Sequence, residues 1–143
     1  MRQCLLAAVA CCLCGVASAQ ESGDSTYLAH RTDPVQQIYS RAVLGYALNQ
    51  KCRQLDATAT ETYERQLTQA TAIFQVYVAA QKFVPNAGEA QRYTQGLLRG
   101  AARFAGSSEC DAGAAASVRA GYQAAQNFAP FMRELLAAPG PKQ

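Results

Sequence analysis

An unbroken helical repeat of apolar side chains runs through residues 58–77, TATETYERQLTQATAIFQVY. Its apolar members recur at intervals of four and three, which places them on one face of an α-helix. They are Tyr63, Leu67, Ala70, Phe74 and Tyr77. Thr58 and Glu61 match a capping box at the start, and Pro85 ends the pattern. The sequence therefore predicts a long amphipathic helix with one face in a bundle core.

Similar start signals mark three further helices. Asp33-Pro34 predicts the start of the first, as an N-cap followed by proline at the first helical position. Asn86 and Ser108 predict the starts of the third and fourth, and Pro130 predicts a kink or a short separate helix near the end. Helical patterns throughout residues 33–138 predict an all-α domain, arranged as a four-helix up-and-down bundle.

The first nineteen residues have the composition of a secretory signal peptide. Arg2 supplies a basic start, residues 4–16 are apolar, and Ala17-Ser18-Ala19 fits the site that signal peptidase cleaves. We therefore expect residues 1–19 to be removed after Ala19 and the mature protein to be periplasmic. Lipid attachment at Cys11 is a minor alternative, because the residues before it loosely match a lipobox.

Both ends of the mature chain are expected to lie outside the helical domain. Residues 20–32 are polar and lack periodicity, which predicts a flexible N-terminal arm. Residues 139–143 contain a Pro-Gly-Pro sequence, which predicts a disordered tail. No second apolar stretch is long enough for a membrane span, so we expect no membrane insertion after signal cleavage.

Two cysteines remain once the signal is removed, Cys52 and Cys110. In an oxidising compartment an even pair predicts a disulfide. In an up-and-down bundle the end of the first helix and the start of the fourth lie at the same end, on neighbouring helices. The sequence therefore predicts one disulfide that links helix 1 and helix 4.

Residues that carry chemistry are scarce. His30 is the only histidine, and it lies in the predicted arm without the partners that a zinc, haem or Ser–His–acid site needs. We therefore predict no catalytic residue, no metal and no cofactor. One of the 13 basic residues, Arg2, would be removed with the predicted signal peptide, which leaves 12 basic and 10 acidic residues. This mild charge lacks the concentrated basic stripe that nucleic-acid binding usually requires.

One candidate interaction surface stands out on the third helix. Arg92, Arg99 and Arg103 are spaced by seven and four, which places them on one side of it; the alternative is an ordinary solvated face. Gly96 and Gly100, four apart in the same helix, are expected to allow close packing against a neighbour. We expect a non-enzymatic protein that binds another envelope or secreted protein, in the manner of immunity, chaperone or accessory proteins.

Two alternatives to protein binding remain open. Alanine and glycine opposite large aromatic rings can leave room between helices, so the bundle could carry an apolar small ligand. Paired carboxylates could support acid–base catalysis, but acidic residues are also expected near helix starts because of the helix dipole. Enzymatic activity is the less favoured of the two.

Overall fold

The structure, a computed structural model, describes residues 26–138, and within that range it contains helices and no β-strand. Four long helices are α1 (Pro34–Cys52), α2 (Ala57–Ala80), α3 (Ala87–Ser107) and α4 (Ala112–Ala137). A helical turn at residues 26–29 precedes them. The predicted all-α class is confirmed. The predicted signal peptide, the first part of the predicted arm and the predicted tail lie outside the described residues.

Each long helix begins with a side chain that caps its first turn. The four caps are Asp33, Asp56, Asn86 and Asp111, and each side chain accepts a hydrogen bond from the backbone N–H three residues on. The predictions of Thr58 and Ser108 as helix starts were wrong, because nearby aspartates hold these positions. A carboxylate caps as well as a hydroxyl and also interacts favourably with the helix dipole. Pro130 lies inside α4, which continues past it, so no separate short helix forms there.

The helices do not pack in simple chain order. Helices α1 and α2 each contact the other three, whereas α3 and α4 do not contact each other. Since the phenol of Tyr93 donates to Gln36 near the start of both helices, and Lys51 donates to Gly106 near the end of both, α1 and α3 run parallel. Residues 108–111 then connect α3 to α4, which packs against another part of α1. In a bundle where each helix packs on the next one in the chain, α3 would instead contact α4.

The disulfide lies where the chain passes from α3 to α4. Cys52 closes α1, and Cys110 stands two residues before α4, with their Cα atoms 5.4 Å apart. The ammonium of Lys51, next to Cys52, donates to the carbonyl oxygens of Gly106 and Ser108. The predicted Cys52–Cys110 disulfide is confirmed, and it fixes the connection between α3 and α4 to the end of α1.

Stacked aromatic rings occupy the centre of the core. The rings of Tyr39 and Phe74 stack with their centroids 4.1 Å apart, and the edge of Phe128 meets Tyr39 at 6.0 Å. All three side chains are fully buried. The hydroxyl of Tyr39 reaches Thr71, where the two oxygens lie 3.0 Å apart. Helices α1, α2 and α4 therefore meet through ring contacts, with the polar end of Tyr39 hydrogen-bonded.

Helices α1 and α4 touch through two glycines. A Cβ atom built on Gly121 would lie 2.7 Å from the Cα of Gly45 and 2.8 Å from the carbonyl oxygen of Arg41. On the α2 side of this crossing, the buried hydroxyl of Tyr63 donates to the carbonyl oxygen of Ala42 at 2.7 Å. The two backbones therefore approach as closely as glycine permits, and a tyrosine hydroxyl fills the remaining space.

Gly96 and Gly100 do not form the close helix contact that was predicted for them. A Cβ atom on Gly96 or Gly100 would meet no other atom within 4 Å. The expectation that these two residues allow close helix packing was therefore wrong, because the surface of α3 around them is open. The close approach occurs at Gly45 and Gly121, which lie on two helices far apart in the chain.

The second half of the predicted flexible arm lies against the bundle. The side-chain amide of Gln36 donates to the carbonyl oxygen of Tyr27, and that of Gln37 donates to the carbonyl oxygen of Arg31. The ring of His30 stacks on Phe83, with centroids 3.7 Å apart. His30, which was predicted to lie in a flexible arm, thus contacts the connection between α2 and α3.

Four buried or hydrogen-bonded tyrosines predict an alkaline unfolding transition. Burial raises the pKa of Tyr39 to about 12. The pKa of Tyr77 is also raised to about 12, by burial and by the hydrogen bond that it donates to Asp33. Burial raises the pKa of Tyr63 and of Tyr93 as well. Because unfolded tyrosines ionise near pH 10, the stabilisation is complete below that pH and is lost as the pH rises through the folded-state values.

A tyrosinate absorbance titration followed alongside far-ultraviolet circular dichroism tests this expectation. Part of the absorbance change of the seven tyrosines should appear only together with loss of helix, well above about pH 10. If all of them ionised near their ordinary pKa while the helices stayed intact, the expected linkage between burial and stability would be wrong.

Candidate interaction surface

The three predicted arginines of α3 are all exposed, but their charges are not equivalent. The guanidinium of Arg92 forms a double hydrogen bond with the carboxylate of Glu89, three residues earlier. This pairing lowers the pKa of Glu89 and raises that of Arg92. Among the described residues, Arg99 and Arg103 form no hydrogen bond or ion pair. The free positive charge of α3 therefore lies on Arg99 and Arg103.

Phe104, next to Arg103, adds an apolar component that sequence reasoning missed. The helical spacing of Tyr93, Leu97, Gly100 and Phe104 predicts Phe104 as a core residue, but its side chain is 58% exposed. Ala105 is buried in its place, so the last turns of α3 present the adjacent residue to the core. The preceding members of the same repeat, Tyr93 and Leu97, are buried and partly buried. Only the glycines and serines near Phe104 could have signalled that few side chains cover its ring.

Phe104 lies beside the contact between α1 and α3, and we call the outer side of this contact the α1–α3 seam. The seam is bounded at one end by the Tyr93–Gln36 hydrogen bond, 2.5 Å long, and at the other by the Lys51–Gly106 hydrogen bond, 2.9 Å long. Helical spacing between these contacts identifies the residues that border the seam. On α1 they are Ser40, Leu44 and Ala47, and on α3 they are Leu97, Gly100 and Phe104.

The outer side of the α1–α3 seam is only partly filled. Gly100 faces open space, and Leu44, Ala47 and Leu97 are all partly exposed. The hydroxyl oxygen of Ser40 is buried yet has no hydrogen-bond partner. Buried hydroxyls normally have a partner. The seam therefore combines an unfilled apolar surface with an unsatisfied polar atom.

Two further grooves follow the contact between α1 and α4. Their volumes are about 340 and 300 Å³, and they share Arg41 and Ala120 in their linings. The first is completed by Ser40, Leu44 and Ser117, so it lies beside the α1–α3 seam across the outer face of α1. Both grooves open to solvent. Neither one favours the hypothesis of an enclosed apolar ligand, which stays a prediction.

Metal-binding and membrane-spanning features are both absent from residues 26–138. Within that range, no three side chains of histidine, cysteine, aspartate or glutamate cluster as metal ligands would. None of its helices combines the length and apolarity of a membrane span. The residues that the structure does bring together are two free arginines, an exposed phenylalanine and an open seam. Such a combination is suited to binding a macromolecular surface.

Comparisons of the chain with protein-family models, with curated proteins and with solved structures find no match. A function for the protein therefore rests on the geometry of this surface.

Proposed function

We propose that this is an exported, periplasmic protein that acts without catalysis, by binding another envelope or secreted protein through α3. The observation that carries the proposal is the adjacency of Arg99 and Arg103, both exposed and unpaired, to the exposed ring of Phe104. Arginine and aromatic residues are enriched in protein interfaces and dominate their binding energy. In this proposal Arg92 contributes less, because Glu89 already pairs with it.

The rest of the molecule supports α3 as a rigid platform. In our proposal the four helices act as one bundle, with neighbouring segments of chain running in opposite directions and the Cys52–Cys110 disulfide tying α1 to the start of α4. The Tyr93–Gln36 and Lys51–Gly106 hydrogen bonds hold both ends of α3 against α1. A preorganised surface binds more tightly because little side-chain and backbone freedom is lost on association. A disulfide is also typical of proteins in oxidising compartments, which supports export.

The exposed ring of Phe104 also supports a protein as the partner. Burying a phenylalanine side chain contributes about 1.5–3 kcal/mol, so a partner that covers the ring gains a sizeable share of an interface energy. Arg103 beside the ring would then fix the orientation of the partner, because a guanidinium binds a carboxylate through two parallel hydrogen bonds.

Charge reversal on α3 provides the test of this proposal. The double substitution Arg99→Glu and Arg103→Glu is expected to weaken capture of the native partner by about tenfold or more, since two attractive contacts become repulsive. The measurement is photocrosslinking in the native envelope with a crosslinking residue at Phe104, followed by quantification of the crosslinked product.

The matched control carries the same change in net charge on α4. Arg119→Glu and Arg133→Glu reverse two exposed arginines that lie on a different helix, and this variant should keep the crosslink at Phe104. Equal capture by the two double variants would show that α3 is not the binding surface.

A further inference from the structure

We propose that the α1–α3 seam binds an amphipathic helix of the partner, with its apolar side in the seam and acidic residues along the edge that faces α3. This inference rests on the proposed function and adds the chemistry of the partner segment. Three features of the seam carry it: its length and shape, its open glycines, and its uncompensated positive charge.

The shape of the seam matches a helix. Helices α1 and α3 run side by side from Gln36 to Lys51, which is a length of about 22 Å at the rise of an α-helix. Two parallel helices leave a straight groove between them, and an amphipathic helix binds such a groove through anchors at helical spacing. Leu44, Leu97 and Phe104 are spaced along this groove as apolar contacts for those anchors.

Glycines on the α3 edge allow the partner to approach closely. No atom lies within 4 Å of the Cβ position of Gly96 or Gly100, so their surface is free. Glycine at an intrahelical spacing of four lets a second helix come near to the backbone.

The charge of the seam selects an acidic partner. Residues 36–51 of α1 and 93–106 of α3 contain no aspartate or glutamate. The exposed arginines beside the groove are Arg99 and Arg103 on α3, and neither forms an ion pair among the described residues. Carboxylates on the side of a docked helix that faces α3 would pair with these guanidinium groups. An anionic membrane is disfavoured, because lipid recognition typically uses clusters of four to eight basic residues.

A synthetic helix provides the probe for this inference. It is a peptide of about 20 residues, with leucine and alanine on one face and glutamate flanking that face. A second peptide replaces every glutamate with lysine. Binding is measured by fluorescence anisotropy at low and high salt, for the wild-type protein and for Gly100→Leu, which fills the seam.

Ala102→Leu supplies the matched control. Ala102 is exposed and lies two residues after Gly100, on the opposite side of α3. Leucine is a good helix former, so both variants should fold. The wild type should bind the glutamate peptide and not the lysine peptide, more weakly as salt rises. Gly100→Leu should weaken that binding about tenfold, and Ala102→Leu should leave it unchanged.

Three results would overturn the inference: equal binding of the two peptides, equal effects of the two leucine substitutions, or binding to vesicles that contain anionic lipid without binding to the glutamate peptide. The Phe104 crosslink separates this failure from failure of the proposed function. If the crosslink to a native protein persists and depends on Arg99 and Arg103, α3 still binds a protein, but one of different chemistry. If that crosslink is also missing, both proposals fail.

Discussion

Gly121→Ala should destabilise the protein by about 3 kcal/mol, although it adds a single methyl group. The new Cβ atom would lie 2.7 Å from the Cα of Gly45 and 2.8 Å from the carbonyl oxygen of Arg41. Both are backbone atoms, so a change of rotamer cannot relieve the clash. Helices α1 and α4 would have to move apart, which would also disturb the hydrogen bond from Tyr63 to Ala42.

Urea denaturation followed by circular dichroism measures this effect, and Gly100→Ala is its control. The control makes the same chemical change at a helical site where a Cβ atom meets nothing within 4 Å. There it should stabilise the protein by about 0.5–1 kcal/mol, because alanine is the better helix former. The two substitutions should therefore have opposite signs. A similar small effect at both positions would mean that α1 and α4 do not touch at Gly121.

Removal of the disulfide is expected to have the second large effect, a loss of about 4 kcal/mol in the free energy of unfolding. The bridge joins residues separated by 58 positions, and closing so long a loop removes many conformations from the unfolded chain. The loss is a large fraction of the stability of an ordinary small domain.

The double variant Cys52→Ala and Cys110→Ala tests this expectation by urea denaturation under oxidising conditions. Wild-type protein treated with a thiol reductant is the companion sample, and the two should have similar midpoints. Reductant should not change the midpoint of the double variant. A midpoint of the double variant equal to that of oxidised wild type would show that the bridge adds no stability.

Much of the helical content was predictable because it depends on local sequence. The repeat of Tyr63, Leu67 and Phe74 defines a buried helix face, and all three side chains are buried in the structure. Asp33 and Asn86 cap the helices that they were expected to cap. The disulfide was predictable because only two cysteines follow the predicted signal peptide, so they had a single possible pairing.

The order of the helices in space was not predictable in the same way. Short connections favour packing of consecutive helices, and this preference is obeyed by α2 and α3 but not by α3 and α4. Helix α4 packs against α1 through the contact of Gly45 with Gly121. These two residues are far apart in the sequence, so no local pattern predicts their contact. Gly96 and Gly100 have the more conspicuous spacing, yet they face open space.

The candidate surface was predicted in part. The exposure of Arg99 and Arg103 follows from helical periodicity, and the pairing of Arg92 follows from Glu89 three residues before it. Phe104 could not be assigned to the surface from periodicity, because it continues the repeat of Tyr93 and Leu97. Its exposure depends on which residues in the last turns of α3 face the core, where Ala105 is buried instead, and that is a property of the whole fold.

The lack of contact between α3 and α4 also bears on how the molecule opens. Protein structures open locally in cooperative units, and the free energy of each opening depends on the packing that it breaks. Detachment of α3 would separate it from α1 and α2, yet it would leave the Gly45–Gly121 crossing and the ring stack of Tyr39, Phe74 and Phe128 in place. The disulfide would limit the excursion, because Cys110 stays attached at the end of α1. Any opening of α3 would therefore be tethered, and it would have to break the Tyr93–Gln36 and Lys51–Gly106 hydrogen bonds that hold the helix in place.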